Sequence, residues 1–319
     1  MNSWRSKMTR WQCGFALLVL ASLSACLAPP PRLEAPLAEA EKSSAVVVFL
    51  PQTEIGLDQV SFDGSTQSLA VDLVGGIVAG KMASNRAKAI VPYRQVLLSH
   101  NLENQLIDAL REHLPLAMVQ ADASFKIVRN EAEWRYHLQS VVPANVLLIR
   151  ARYAFEQNLE VAYVYADVDF SRYHRVPLDS EASRRLGMEA TRAAKPLLLH
   201  RGSYYSQHVL QPLFDETVEG LSGFNASAEA WSMDWAEPAR RAFASGMREV
   251  AELIALDSQG YLPNPTDPEE LWIKAADARL GLVALWADVL MRSDDRILVK
   301  HSQSHQRYWI DPRQVKSAR

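Results

Sequence analysis

Runs of apolar residues separated by turn residues predict a succession of strands in this chain. Residues 45–50 are rich in β-branched side chains and end at Pro51, which is the pattern of a buried strand. Two longer runs, 145–155 and 159–170, are dense in Val, Leu, Ile and Tyr and are separated by a short polar turn. They predict an antiparallel hairpin in which the polar residues at alternate positions face water.

Three other segments, 67–86, 93–113 and 225–257, place apolar residues at helical spacing. The last of them is the longest, and Trp231 and Trp235 fall on its predicted buried side. Aromatic residues at this spacing are more often core than the lining of a ligand groove, so we expect both to be buried. Pro238 is expected to interrupt this helix near its start, because proline cannot donate the helical hydrogen bond.

These elements together predict an α+β fold, with a mixed or antiparallel sheet packed by two or three helices and a small C-terminal β-meander. Residues 260–268 are rich in Gly and Pro and mark the best internal boundary, at the start of the segment that carries the meander. The predicted organisation is a signal peptide at 1–25, a flexible tether at 26–44, a main α+β domain at 45–259 and the meander at 260–319.

The N-terminal residues follow the order of an export signal, with a positive start, an apolar core and small residues before the cut. These parts are, in order, Arg5, Lys7 and Arg10, then residues 11–23, then Ser24 and Ala25. The core is shorter than the ~20 residues that a membrane-spanning helix needs, which makes a permanent transmembrane anchor the weaker alternative. An ordinary cleaved signal is the other alternative.

The signal ends in Leu23, Ser24, Ala25 and Cys26, which resembles the lipobox of bacterial lipoproteins. The resemblance implies that diacylglyceryl is transferred to the Cys26 thiol, that the chain is cleaved before Cys26, and that the new amino group is acylated. One acyl chain binds a membrane only reversibly, at ~0.8 kcal/mol per buried methylene, so several chains on one residue would make a lasting anchor. Leu27 rather than Asp follows the cysteine, which by the same resemblance favours the outer membrane, on its periplasmic face.

Composition narrows the classes of partner and chemistry. Cleavage after Ala25 would remove three positive charges and no negative one, which changes the formal charge from −3 to −6. An acidic mature chain argues against nucleic acid as a partner. The two cysteines are Cys13, which leaves with the signal, and Cys26, which the lipid would consume. The mature protein is therefore expected to have no disulfide, no thiolate nucleophile and no cysteine-bound metal.

The predicted helix at 67–86 has an apolar stripe and a face of small residues. Its packing residues are Leu69, Leu73, Ile77, Gly76 and Gly80. Small residues four apart let two backbones approach closely, so we expect this helix to pack within the domain or against a partner. The stretch also has the spacing of a phosphate-binding P-loop ending at Lys81, but Met82 stands where that loop needs a hydroxyl and no strand precedes it.

Asp167 and Asp169 are the only carboxylates that we weigh as a catalytic pair. Two positions apart on a strand, they share a face, and paired carboxylates serve glycan hydrolysis. The preferred interpretation is that they form the solvent-facing side of the strand or pair with Arg150 and Arg152 across the hairpin. His301 and His305 stand four apart but lie in a predicted hairpin, so no metal site is predicted there. We predict no catalytic residue, no metal and no cofactor.

Three hypotheses for the function follow. The first is a membrane-anchored, non-enzymatic envelope lipoprotein that binds or assembles with another envelope component in the periplasm. The second is a cell-wall or glycan hydrolase that uses Asp167 and Asp169. The third is self-association through the glycine-rich helix into an envelope complex. That helix, the basic stretch after it and Pro92, Tyr93 and Arg94 resemble uncharacterised envelope lipoproteins of proteobacteria, a resemblance that brings no known activity.

Metabolic labelling with a clickable fatty acid tests the anchor. The wild-type protein should carry the label and have Cys26 as its mature N-terminus, whereas Cys26→Ser should carry none. Cys13→Ser is the matched control and should keep the label, because that residue leaves with the signal. An unlabelled wild-type protein, or a mature terminus elsewhere, would contradict the lipobox assignment.

Overall fold

The structure is a computed structural model, and all the residues that it describes belong to the unit Arg32–Arg319. The described residues are 41–52, 55–57, 101–114, 118–141, 144–155, 159, 161–177, 191–193, 196–209, 221–259, 262, 270–277, 281–294, 296–301, 306–312 and 315–316. The predicted signal, most of the tether, the helix at 67–86 and the first part of the helix at 93–113 lie outside these residues.

Three helices and thirteen strands have defined bounds in this part of the chain. The helices are α1 Leu102–His113, α2 Glu131–Val141 and α3 Leu221–Ser258. The strands are β1 Ser43–Phe49, β2 Gly56–Leu57, β3 Val119–Val128, β4 Ala144–Phe155, β5 Val161–Tyr173, β6 Arg175–Pro177, β7 Thr191–Ala193, β8 Leu197–Val209, β9 Glu270–Asp277, β10 Gly281–Arg292, β11 Ile297–His301, β12 Arg307–Ile310 and β13 Val315–Lys316.

One mixed sheet dominates the fold. Its strand order is β13-β9-β10-β11-β12-β8-β5-β4-β1-β3, with β2 beside β4, while β6 and β7 form a separate pair. The predicted hairpin is the antiparallel pair β4–β5, whereas β1 runs parallel to both β3 and β4. The predictions of an α+β fold and of a mixed sheet packed by helices are confirmed.

The C-terminal strands extend the main sheet. Strands β9, β10, β11 and β12 are antiparallel neighbours, as in a meander, but β12 also pairs in parallel with β8. The expectation of a small appended meander was therefore wrong in its extent. The physical reason is that an unpaired strand edge leaves backbone donors and acceptors unsatisfied, and β12 satisfies those of β8.

The two faces of the central strands differ in what covers them. On β5, the residues Ala162, Val164, Ala166, Val168 and Phe170 point to one face and belong to the core beneath α1 and α3. We call this the helix face. The alternate residues of β5 point to the other face, which we call the charged face because Asp167 and Asp169 lie on it. Strand periodicity of two produces this division.

Helix α3 packs closely on the helix face. Phe243, Met247 and Val250 are fully buried there, and each such side chain contributes roughly 1.5–3 kcal/mol. Gly246 permits the close approach, since a Cβ at this position would lie 2.8 Å from Cγ2 of Val164. A glycine normally weakens a helix, but here it lets the helix backbone approach the sheet.

Helix α3 is interrupted at residues 233–236, ahead of Pro238. Asp234, Trp235 and Ala236 have positive φ angles of 49°, 59° and 59°, a conformation that costs roughly 1–2 kcal/mol per non-glycine residue. Trp231 is buried and its indole N–H donates to the carbonyl of Leu159 at 2.7 Å. Trp235 is 80% exposed, so its predicted burial was wrong, because the left-handed turn rotates it away from the apolar face.

The short helices begin at polar caps. Asn130 precedes α2 and accepts from the backbone N–H of Glu133 at 2.9 Å, while its own amide donates to the Glu133 carboxylate at 2.8 Å. The first bond satisfies a backbone N–H that has no partner within the helix, and the second links the two side chains. The side chain of Asn101 similarly accepts from the N–H of Asn104 at the start of α1.

A buried polar network joins the end of α3 to β8 and β12. The carboxylate of Asp257 lies 3.2 Å from the guanidinium of Arg307 and accepts from the hydroxyl of Tyr204 at 2.7 Å. His200 Nε2 lies 3.2 Å from the same hydroxyl, and both charged side chains are at most 3% exposed. A Cβ on Gly202 would lie 2.2 Å from the Tyr204 hydroxyl oxygen, so glycine leaves room for the network.

Removing the Asp257 carboxylate should cost much of the stability. Asp257→Ala leaves Arg307 charged and buried, and we expect urea unfolding to show a loss of ~3–5 kcal/mol. The control is Asp108→Ala, which removes a mostly exposed pair with Arg111 and should change the free energy of unfolding by less than ~1 kcal/mol. Similar losses in the two variants would contradict the assigned role of the buried pair.

Candidate functional site

Charged and hydroxyl side chains meet at the centre of the charged face. Strand register brings them together: Arg150 of β4 lies opposite Asp167 of β5, and Asp167 lies opposite Ser203 of β8. One pair further along, Asp169 lies opposite Arg201. Residues directly opposite on neighbouring antiparallel strands have their Cβ atoms ~4.5–5.5 Å apart, so their side chains can interact directly.

Asp169 is held between two arginines. Arg150 Nη1 donates to its Oδ2 and Arg201 Nε donates to its Oδ1, each at 2.6 Å. The Asp169 side chain is 12% exposed, whereas those of Arg150 and Arg201 are 46% and 55% exposed. Burial acts to raise the pKa of Asp169, but the hydrogen bonds from Arg201 and Arg150 outweigh it, so its pKa lies below the usual range.

The pKa of Asp167 is shifted in the opposite direction to that of Asp169. Its Oδ1 accepts from the hydroxyls of Ser203, at 2.5 Å, and Tyr165. Burial nevertheless raises the pKa of Asp167, because these hydrogen bonds do not fully offset it. Burial and the adjacent carboxylate also raise the pKa of Tyr165, which keeps that hydroxyl protonated as a donor.

Arg152 is the third arginine on this face. It stands two residues after Arg150 on β4, opposite Tyr165, so both arginines project from the same side of the sheet. Arg152 is half-buried and makes no ion pair with any residue in the described ranges. We call Arg150, Arg152, Asp167, Asp169 and Arg201 the arginine–aspartate cluster.

Apolar structure borders the cluster on two sides. On one side, buried residues of α2, including Trp134 and Leu138, pack on Ala45 and Val47 of β1 and on Tyr173. On the other side lies a group of buried tyrosines with residues from β9 to β12. Its rings are close, with centroids 5.6 Å apart for Tyr163–Tyr205 and 5.0 Å apart for Tyr205–Tyr308. The cluster is thus a charged strip between two apolar regions.

The geometry limits the chemistry that the cluster can perform. Both oxygens of Asp169 already accept from arginine, which leaves this carboxylate poorly suited to attack a substrate. Arg150 and Arg201 use one N–H each on Asp169, and each guanidinium has five N–H donors. The remaining donors lie on half-exposed side chains, so the cluster is suited to hydrogen-bonding an anionic ligand. Among the described residues, no group of three or more His, Cys, Asp or Glu side chains is placed to hold a metal ion.

The structure describes only some of the residues singled out in the sequence. Leu23, Ser24, Ala25 and Cys26, together with Leu69, Leu73, Gly76, Ile77 and Gly80, lie outside the described residues. His305 is also outside them, and His301 lies in β11. Asp167 and Asp169 share a face as predicted, and Asp169 pairs with Arg150 across the hairpin, although Arg152 does not take such a partner within the described ranges.

Sequence reasoning missed Arg201 and Ser203. Both lie on β8, where their alternation with Gly202 and Tyr204 was the available signal. Local pattern could not show that β8 pairs with β5, because this pairing joins segments separated by a long stretch of chain.

No protein-family model matches the sequence, and neither a curated protein nor a solved structure matches the chain. Within the described ranges, no helix has the length and apolar character needed to cross a membrane.

Replacing Asp167 and Asp169 in turn by Asn should change the free energy of unfolding in opposite directions at about pH 7. Asp167 has a raised folded-state pKa, so its ionised form costs stability above that pKa, and Asp167→Asn should be more stable than wild type. Asp169 has a lowered folded-state pKa, so its ionised form contributes stability above the unfolded value of ~3.9. Asp169→Asn should be less stable.

Urea unfolding at about pH 7 and about pH 3 measures both effects. The gain from Asp167→Asn should disappear at acid pH, where Asp167 is protonated in both states. The loss from Asp169→Asn should shrink as the pH falls from the unfolded pKa through the folded-state pKa. Equal destabilisation by both substitutions at neutral pH would contradict the opposite environments of the two carboxyls.

Proposed function

We propose that this protein is a lipid-anchored envelope protein that binds another envelope component instead of catalysing a reaction. Lipid on Cys26 holds it to the outer membrane, and the folded domain lies on the periplasmic side. The arginine–aspartate cluster is its binding surface.

The observation that carries the proposal is the state of Asp169. Its two oxygens are occupied by Arg150 and Arg201, while the outer parts of both arginines are exposed. An aspartate in this position fixes its neighbours for binding more readily than it reacts. A guanidinium loses less freedom on binding a ligand when it is already held in place.

The start of the described fold is compatible with a short tether. Arg172 pairs with the Glu41 carboxylate at 3.1 Å, and the Asn145 amide donates to the Glu41 carbonyl at 2.6 Å. Glu41 is therefore fixed beside the end of β5 and the start of β4. The chain from Cys26 to Glu41 makes fifteen residue-to-residue steps and can span at most about 50 Å, so a domain on this tether would stay close to the bilayer.

The alternative function is a cell-wall or glycan hydrolase. It is favoured by the opposite pKa shifts of Asp167 and Asp169, raised by burial in the first and lowered by the two arginines in the second, since acid and base roles need carboxyls in different environments. Neighbours two apart on a strand lie ~6.6 Å apart, which is near the separation of inverting enzymes. We rank this alternative second, because both Asp169 oxygens accept from arginine. Self-association through the glycine-rich segment stays a prediction.

Crosslinking in intact cells tests the binding function. Wild type should capture a specific envelope partner, whereas Cys26→Ser should be folded and soluble but fail to hold that partner at the membrane. The double variant Arg150→Gln and Arg201→Gln should remain at the membrane and lose the partner. Arg135→Gln on α2, which removes an exposed pair with Glu131, is the control and should behave as wild type.

Two outcomes would contradict the proposal. Full function from the soluble Cys26→Ser protein would show that anchoring is unnecessary. Release of sugar fragments from purified cell walls by the wild type, lost in both Asp167→Asn and Asp169→Asn, would establish the hydrolase instead.

A further inference from the structure

The charges and donors of the arginine–aspartate cluster define the kind of ligand that fits it. With both carboxyls ionised, three arginines and two aspartates give the cluster a net charge of +1. The mature chain as a whole is expected to be near −6, so this strip is a local positive site on an acidic protein. A site of this sign attracts anions.

We propose that the cluster binds a phosphate-type oxyanion, as inorganic phosphate or as a phosphomonoester group. This inference rests on the proposed binding function and names the chemistry of its ligand. Arg150 and Arg201 are the residues that contact the ligand, and Arg152 contributes a further charge from the same side of β4.

The arrangement of the two arginines favours a tetrahedral group over a planar one. Asp169 holds one guanidinium at each of its two oxygens, so the two cations are fixed on either side of one carboxylate. Arginine pairs with both carboxylate and phosphate, but a planar carboxylate ligand offers only two acceptor oxygens. A phosphate has enough acceptor oxygens for both guanidiniums to bind it at once, and it carries negative charge to a site whose net charge is positive.

Asp169 is a positioning residue in this site. It lies below the exposed ends of the arginines and is 12% exposed, so it orients their donors and leaves the outer ones for the ligand. Ser203 and Tyr165 already donate to Asp167, which keeps their hydroxyls engaged beside the arginines.

Titration of the detergent-extracted, full-length protein tests the inference. Inorganic phosphate, glycerol phosphate and acetate are each followed by calorimetry at low ionic strength. Phosphate or glycerol phosphate should bind at least about tenfold more tightly than acetate, and Arg150→Gln or Arg201→Gln should each weaken that binding at least about tenfold. Arg135→Gln should change it less than about twofold.

Asp169→Asn separates positioning from charge. Loss of the carboxylate raises the net positive charge, so simple attraction would tighten phosphate binding, whereas loss of orientation should weaken it. Weaker binding supports the positioning role, and tighter binding overturns it. Circular dichroism of each variant confirms that the comparison is between folded proteins.

The two phosphate probes distinguish the sources of the ligand. Preference for inorganic phosphate supports a free ion, and preference for glycerol phosphate supports a phosphorylated headgroup or sugar; either supports the inference. Equal binding of acetate and phosphate, or equal weakening by Arg135→Gln and Arg201→Gln, overturns it. If phosphate fails but the arginine variants still lose the crosslinked envelope partner, only the ligand assignment is wrong. If those variants keep the partner, the proposed function itself is wrong.

Discussion

The buried pairing of Asp257 with Arg307 holds the long helix and the C-terminal strands in one arrangement. Two charges removed from water are costly unless each finds a partner, and here the carboxylate also accepts from Tyr204. Strand β12 pairs with β8 over a short register that starts at Arg307. The next residue, Tyr308, packs against Tyr205 on the opposite face. One ion pair on the helix face thus fixes a border of the charged face.

The alternation of side chains on β5 lets the same strand serve two purposes. Its even-numbered residues from Ala162 to Phe170 are buried under the helices, and Asp167 and Asp169 are carried on the other side. Each pair of strands must therefore keep its register, because a slip of one residue would turn the apolar side chains to the charged face and the charged side chains to the helix face. The same packing that stabilises the sheet sets the spacing of the arginines and aspartates.

Sequence patterns predicted the central elements well, since β1, β4 and β5 are dense in apolar and β-branched residues and α3 has apolar residues at helical spacing. They could not give the arrangement of the sheet, because the pairing of β8 with β12 depends on contacts between distant segments. Strand β9 was not predicted. The burial of Trp235 was predicted wrongly, because the left-handed turn before Pro238 contains no glycine that would have indicated it in the sequence. At the site, Asp167 and Asp169 were identifiable, but Arg201 became relevant only through the pairing of β8 with β5.

The outermost strands of the described sheet affect whether neighbouring molecules can add strands to one another. Strand β3 lies at one margin and presents the exposed charges of Asp122 and Lys126, and β13 at the other margin is only two residues long. Charged or very short margins resist strand-to-strand addition between molecules. If the proposed lipid anchor holds copies at high local density on a bilayer, these strands would protect them from joining into continuous intermolecular sheets.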